Sequence, residues 1–251
     1  MFSKTITTVL AVAIFCLASQ TNAQTVLLFE DFEDSTVFYT GPDDSLGDIA
    51  ANDYYGRLAP DTVFPNADIV YNNIQGSGYY GLQDTDGATT PLDDIVLEFN
   101  GIGIAGFESL TFDFFVAEDT AADDDEDWDT NQELLVEYQI DNGGFSDLFS
   151  VRSEVGTDGN QTNEAPFVDT DFDGVGDGAP ITDTLTNFLS SIDGTGNFLD
   201  IRISFLDFGT GDEDAAIDSV RVRGVQVIPE PSSAGLVGLA LVGLGLIRRR
   251  K

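Results

Sequence analysis

The chain contains no histidine. Its one cysteine, Cys16, and its only lysines, Lys4 and Lys251, sit close to the two ends, so the long stretch between them has none of the three. These absences exclude whole classes of chemistry. Without histidine there is no Ser-His-Asp or Cys-His nucleophile and no His-bound zinc, and without an internal lysine there is no Schiff base. A single cysteine allows no internal disulfide. Cys16 also lies within an apolar run without the small residues that precede a lipidated cysteine. Positive charge is scarce too. Between the ends the chain carries only Arg57, Arg152, Arg202, Arg221 and Arg223 against all 45 acidic residues, a net charge of −40. Such a charge repels nucleic acid and anionic lipid and attracts cations. What remains in quantity is carboxylate, whose exported chemistry is glycoside hydrolysis or the binding of hard cations.

The two ends read as targeting segments. Lys4, the apolar residues 9–18, and the small residues Thr21 and Ala23 before Gln24 have the layout of a cleavable secretory signal, residues 1–23. At the other end stand Pro229-Glu230-Pro231, an apolar run at 234–247, and Arg248-Arg249-Arg250-Lys251. As a helix that run would be about 21 Å long, against a hydrocarbon core of roughly 30 Å, so it is a poor permanent span. The terminal cations favour the cytoplasmic side. The prolines keep Glu230 extended and open to a processing enzyme. In order and spacing these parts resemble the PEP-CTERM sorting signal of Gram-negative bacteria. That resemblance implies export, transient anchoring in the inner membrane through a short C-terminal hydrophobic helix, processing by an exosortase, and delivery to the outer surface or an exopolysaccharide matrix. Residues 225–251 form this tail, with Pro229, Glu230, Pro231, Arg248, Arg249 and Arg250 as its sorting residues.

Residues 24–224 read as one all-β domain. Leu110, Phe112, Phe114 and Val116 alternate with Thr111 and Asp113. The same period of two recurs at Leu134, Val136, Tyr138 and Ile140, and at Leu199, Ile201, Ile203 and Phe205, with glycine-rich turns between such runs. Half-buried strands in this number imply a two-sheet sandwich. No segment carries a sustained helical repeat, and the pattern allows at most a short helical turn at residues 184–191. The segments Leu28-Phe29-Glu30-Asp31-Phe32-Glu33, Val136 through Gly144, and Ala215 through Val222 resemble strands of extracellular jelly-roll modules of the MAM and carbohydrate-binding kinds, though the chain lacks the MAM cysteines. The expected fold is therefore a jelly-roll-like β-sandwich, with a signal helix before it and the hydrophobic tail helix after it.

Residues 169–178, with Asp169, Asp171, Asp173, Gly174 and Asp177, spell D-x-D-x-D-G-x-x-D. Alternate aspartates can turn their oxygens to one centre, Gly174 permits the bend, and the Val175 carbonyl completes a calcium loop. The pattern resembles EF-hand-like and thrombospondin type 3 loops, but Pro180 occupies the place of the EF-hand's bidentate glutamate. The affinity implied is that of extracellular modules, roughly 10⁻⁴ to 10⁻³ M. A second calcium site is implied by the jelly-roll resemblance. Asp218 shares strand parity with Val220 and Val222, and an ion shared with Glu30 or Glu33 and with Asp212 or Asp214 would compensate its burial. The alternative is a bulge at Ser219 that turns Asp218 outward, or a hydrogen bond to a turn amide. The run at residues 123–129 reads as a solvated acidic loop. Trp128 within it reads as a packing anchor or a sugar-stacking platform. The tyrosine pairs Tyr54-Tyr55 and Tyr79-Tyr80 should each divide between core and surface.

The function these features favour is a non-catalytic, calcium-binding surface or matrix protein associated with exopolysaccharide or another surface glycan. A carbohydrate-binding module with a defined glycan is the alternative, and a carboxylate glycoside hydrolase comes third.

Overall fold

The computed structural model describes residues 23–48, 53–59, 71–119, 128–153, 165–209 and 213–227. The expected signal helix and C-terminal helix lie outside these residues, as does the acidic run up to residue 127. Among the described residues there is no helix, and none long and apolar enough to cross a membrane.

Twelve strands form two antiparallel sheets. They are β1 (Gln24–Glu30), β2 (Ser45–Asp48), β3 (Asp53–Leu58), β4 (Tyr79–Gln83), β5 (Ile95–Gly103), β6 (Phe107–Ala117), β7 (Glu133–Ile140), β8 (Ser146–Ser153), β9 (Pro166–Val168), β10 (Thr186–Ile192), β11 (Phe198–Leu206) and β12 (Asp214–Gln226). The first sheet runs β10-β6-β12-β4-β3-β2, with β1 also on β12, and the second runs β5-β11-β7-β8-β9. From β4 onward the chain passes repeatedly from one sheet to the other, which is the wrapping of a jelly-roll-like sandwich. β12 binds the whole together. It pairs with β6 along one edge, and with β4 and then β1 along the other.

Alternation builds the core as the sequence requires. Leu110, Phe112, Phe114 and Val116 of β6 face Val136, Phe149, Ile201 and Ile203 of the second sheet within one apolar cluster. Residues 184–191 do not form a helical turn. They enter β10, where Phe188 and Ile192 turn inward and Leu189 is left 65% exposed. Seven consecutive pairs with β6 outweigh any local helical preference.

The tyrosine pairs do divide between the faces of their sheet, but at these positions both faces are covered. Tyr55 and Tyr80 join the main core, while Tyr54 and Tyr79 join a second cluster with Leu58, Tyr71, Ala117, Leu185 and Ala216 on the outer face. Residues 71–78 cover part of that face. Trp128 is 1% exposed, packs edge-on against Phe208 and donates its indole N–H to the Asp214 carbonyl at 2.9 Å. It is an anchor, and the sugar-stacking reading fails because no face of the indole is open.

Phe112→Ala should cost about 3–5 kcal/mol of stability, whereas Leu189→Ala should change it by less than about 0.5 kcal/mol. Urea unfolding of the two variants checks this.

Candidate metal loop and the carboxylates around it

Residues 169–177 leave β9 and are stitched to the second sheet at both ends. The Asp169 N–H donates to Ser150 O at 2.9 Å and the Gly176 N–H to Ser153 O at 2.9 Å. A β-carbon at Gly176 would lie 2.4 Å from the Arg152 carbonyl, so glycine is required for this approach. Gly174 sits at φ +92°, a conformation that few other residues adopt. Within the bend Asp169, 3% exposed, accepts the Phe172 N–H at 2.7 Å and the Gly174 N–H at 2.9 Å. Asp173 accepts the Val175 N–H at 3.1 Å.

This winding gathers Asp169, Asp171 and Asp173, each with one oxygen within 4.8 Å of the others. Calcium binds oxygen at 2.3–2.6 Å, so two oxygens on one ion stand no more than about 5 Å apart, and the three carboxylates fit the ion. Asp177 behaves differently. Its Oδ1 accepts both the N–H and the hydroxyl of Thr170, at 3.0 and 2.7 Å. These bonds hold its carboxyl below the usual aspartate range, and they make it the clasp of the loop. The loop opens on a cleft of about 350 Å³ that also includes Glu133, Asp147, Arg152 and Phe172. Phe172 is 43% exposed and held at φ 59°.

The second calcium set does not assemble as expected. Glu30, on the inner face of β1, accepts the N–H groups of Phe32 and Phe38 at 2.8 and 2.7 Å. It lies opposite Val220, six residues along β12 from Asp214, a separation of roughly 20 Å. Asp214 instead accepts the Tyr71 hydroxyl and the Asp119 N–H. Asp218 does not share a face with Val220 and Val222. The ladder between β12 and β6 slips one residue between Asp218 and Arg221, and Ser219 takes φ 52°. That bulge moves Asp218 to the outer face. It stays fully buried there because residues 71–78 lie over it, with the Gln75 N–H donating to its Oδ2 at 2.7 Å. Glu33, held by Ser77 and Gly78, is a neighbour of Asp218 in charge. Asp212 lies outside the described residues.

Two features were not read from the sequence. Glu118, Asp119 and Glu213 are buried beside Asp214 at one end of the first sheet, although nothing in their local pattern separates them from exposed acids. Asp84 is adjacent to Asp53 and Asp86, and burial followed by these two acids pushes it up to about 7.

Against known proteins, the PEP-CTERM protein-sorting motif matches residues 227–251. The tail is a PEP-CTERM sorting signal. The motif marks the chain for export and membrane-anchored sorting in bacteria; its sorting residues Pro229, Glu230, Pro231 and Arg248–Arg250 lie outside the described residues. No curated protein matches the sequence. Similar solved structures include the CBM22-1 xylan-binding domain of a Paenibacillus barcinonensis protein, at 10% identity and TM-score 0.37, covering 82% of this chain and 99% of that one. A CBM35 from the same organism has 15% identity and TM-score 0.34, covering 78% and 97%. The K2 cleaved adhesin domain of Lys-gingipain has 14% identity and TM-score 0.37, covering 80% and 97%. The jelly-roll-like fold of the domain rests on its own strand order.

Burial, with the Glu33 charge a smaller contribution, pushes Asp218 up to about 7 against the bond from Gln75. A raised carboxyl stabilises the fold fully below its unfolded value near 4, and that stability is lost as pH rises through about 7. Asp177 and Asp141, both lowered by main-chain hydrogen bonds, act oppositely and lose their contribution as pH falls below about 4. Metal-free protein should therefore melt a few degrees higher at pH 5 than at pH 8 in a pH series of thermal melts. Asp218→Asn should flatten the decline.

Proposed function

We propose that this chain is an exported, calcium-binding, non-catalytic protein of the cell surface or exopolysaccharide matrix of a Gram-negative bacterium. A signal peptide at residues 1–23 starts export, and an exosortase recognises residues 229–231 and processes the tail. The observation that carries the sorting half is the motif at residues 227–251. Supporting the calcium half, Asp169, Asp171 and Asp173 would hold the ion, which would tie the β9 edge to the bend and neutralise three adjacent carboxylates. Such an ion could also bridge to an anionic glycan at the cleft beside it.

A second reading, a carbohydrate-binding module with a defined glycan, is favoured by that cleft. It sets an aromatic ring, Phe172, beside Arg152 and the metal loop on the outer face of the second sheet.

Two measurements test the proposal. At 5 mM, calcium should raise the melting temperature by about 2–8 °C over an EDTA control, given the affinity expected of such loops. Asp171→Asn, at an exposed ligand position, should abolish most of that rise; an unchanged melting temperature in wild-type protein removes calcium from the account. Separately, the intact mass of surface-released protein should fall short of a C-terminus at Lys251 when exosortase is present. A mass that still includes Lys251 removes the processing step.

A further inference from the structure

The five arginines of the domain are not equally neutralised. Arg57 pairs with Asp44 at 2.8 Å, Arg152 with Glu133, and Arg202 with Glu137 at 2.5 Å. Arg221 and Arg223 share a single carboxylate, that of Asp113, which is 2% exposed. Arg223 holds Asp113 Oδ2 directly, while the Arg221 Nη1 stands 3.7 Å from Oδ1. Among the described residues the Arg221 side chain makes no hydrogen bond. Its guanidinium lies instead over the Phe29 ring, 4.8 Å from the centroid. This places a positioned cation with an unused fork of N–H donors on a molecule otherwise dominated by carboxylates.

Strand register shows what surrounds it. Phe29 of β1 stands opposite Arg221, Arg221 opposite Asp113 of β6, and Asp113 opposite Leu189 of β10. These four residues form one row across the outer face of the first sheet. In the next row Val26 stands opposite Arg223. Leu189, Val26 and Phe29 are 65%, 53% and 40% exposed. The covering segment 71–78 lies over the part of the sheet around Asp218. The next acid along β6 is Glu108, which stands opposite Val225 at the far margin of the patch.

We propose that this face binds a polymer of uronic acid sugars. The fork of Arg221 matches a carboxylate in bidentate geometry. The C–H faces of sugar rings pack against Phe29 and Leu189. Arg221 and Arg223, two apart on one strand, converge on the one carboxylate of Asp113 and leave one positive charge in excess there. Charge decides the class of partner. A neutral glycan would leave the Arg221 fork unmatched. The domain's overall charge opposes an anionic polymer at long range. That opposition is screened within about 10 Å at 0.1 M salt and more strongly above it, while contacts under 4 Å persist. Affinity should therefore be higher at 0.3 M salt than at 0.02 M, the reverse of ordinary anion binding.

The test measures binding of the full chain, in mild detergent, to polygalacturonate in 0.3 M NaCl with EDTA, and to fully methyl-esterified polygalacturonate in the same buffer. Wild-type protein should bind the acid polymer and not the ester. Arg221→Gln and Leu189→Glu should each weaken binding at least about tenfold. Leu189→Glu alters an exposed side chain, so it tests the patch even if Arg221→Gln disturbs the sheet. Arg57→Gln, on a separate ion pair, should bind as wild type does. Absence of binding, equal binding of acid and ester, or full binding by Leu189→Glu would overturn the proposal. So would reversible dimerisation that Leu189→Glu abolishes while no polymer is bound. EDTA removes calcium from residues 169–177 throughout, so a failure here leaves the calcium proposal standing, and the reverse also holds.

Discussion

The structure depends on how it holds carboxylates without cations. Lysine is absent between the ends, and the few arginines cannot neutralise the acids around them. Main-chain N–H groups take over that task. Glu30 is held by Phe32 and Phe38, Asp141 by Asn197 and Phe198, Asp169 by Phe172 and Gly174, and Asp218 by Gln75. Hydrogen bonds from N–H groups to carboxylates are strong, and those to Glu30, Asp141 and Asp169 also fix a loop at the point where a strand ends. The acids are thus structural fasteners as well as a surface charge.

This arrangement explains why the metal loop is where it is. A bend that already points two N–H groups at Asp169 brings that carboxylate under Asp171 and Asp173, and their mutual repulsion then favours a divalent ion. It also explains why the outer face of β12 is distinctive. After the Ser219 bulge the strand turns Arg221 and Arg223 outward onto one shared carboxylate, away from the part of the sheet that residues 71–78 cover. The sorting motif at residues 227–251 marks this domain for export.

Much of the fold was legible because period-two alternation survives wherever a strand has one buried face, as in β6, β7 and β11. β10 was misread because it is an edge strand whose Leu189 faces solvent, which blurs the alternation. Strand parity put Asp218 with Val220 and Val222, and the alternative, a bulge at Ser219, is the one the structure shows; parity counting fails at a bulge, and Ser219 gives no sequence sign of its positive φ. The three aspartates of the metal loop were legible from spacing and glycine. The diversion of Asp177 to Thr170 was not, since it depends on how the loop closes. Trp128 and the tyrosine pairs turned on a covering layer that only tertiary packing creates.

The claim that main-chain N–H groups stand in for missing cations is tested most directly by hydrogen exchange at neutral pH. The amides of Phe32, Phe38, Gln75, Phe172 and Gly174 should exchange as slowly as amides of the neighbouring strands, although none lies in a strand. Exchange at the rate of open loops would contradict it.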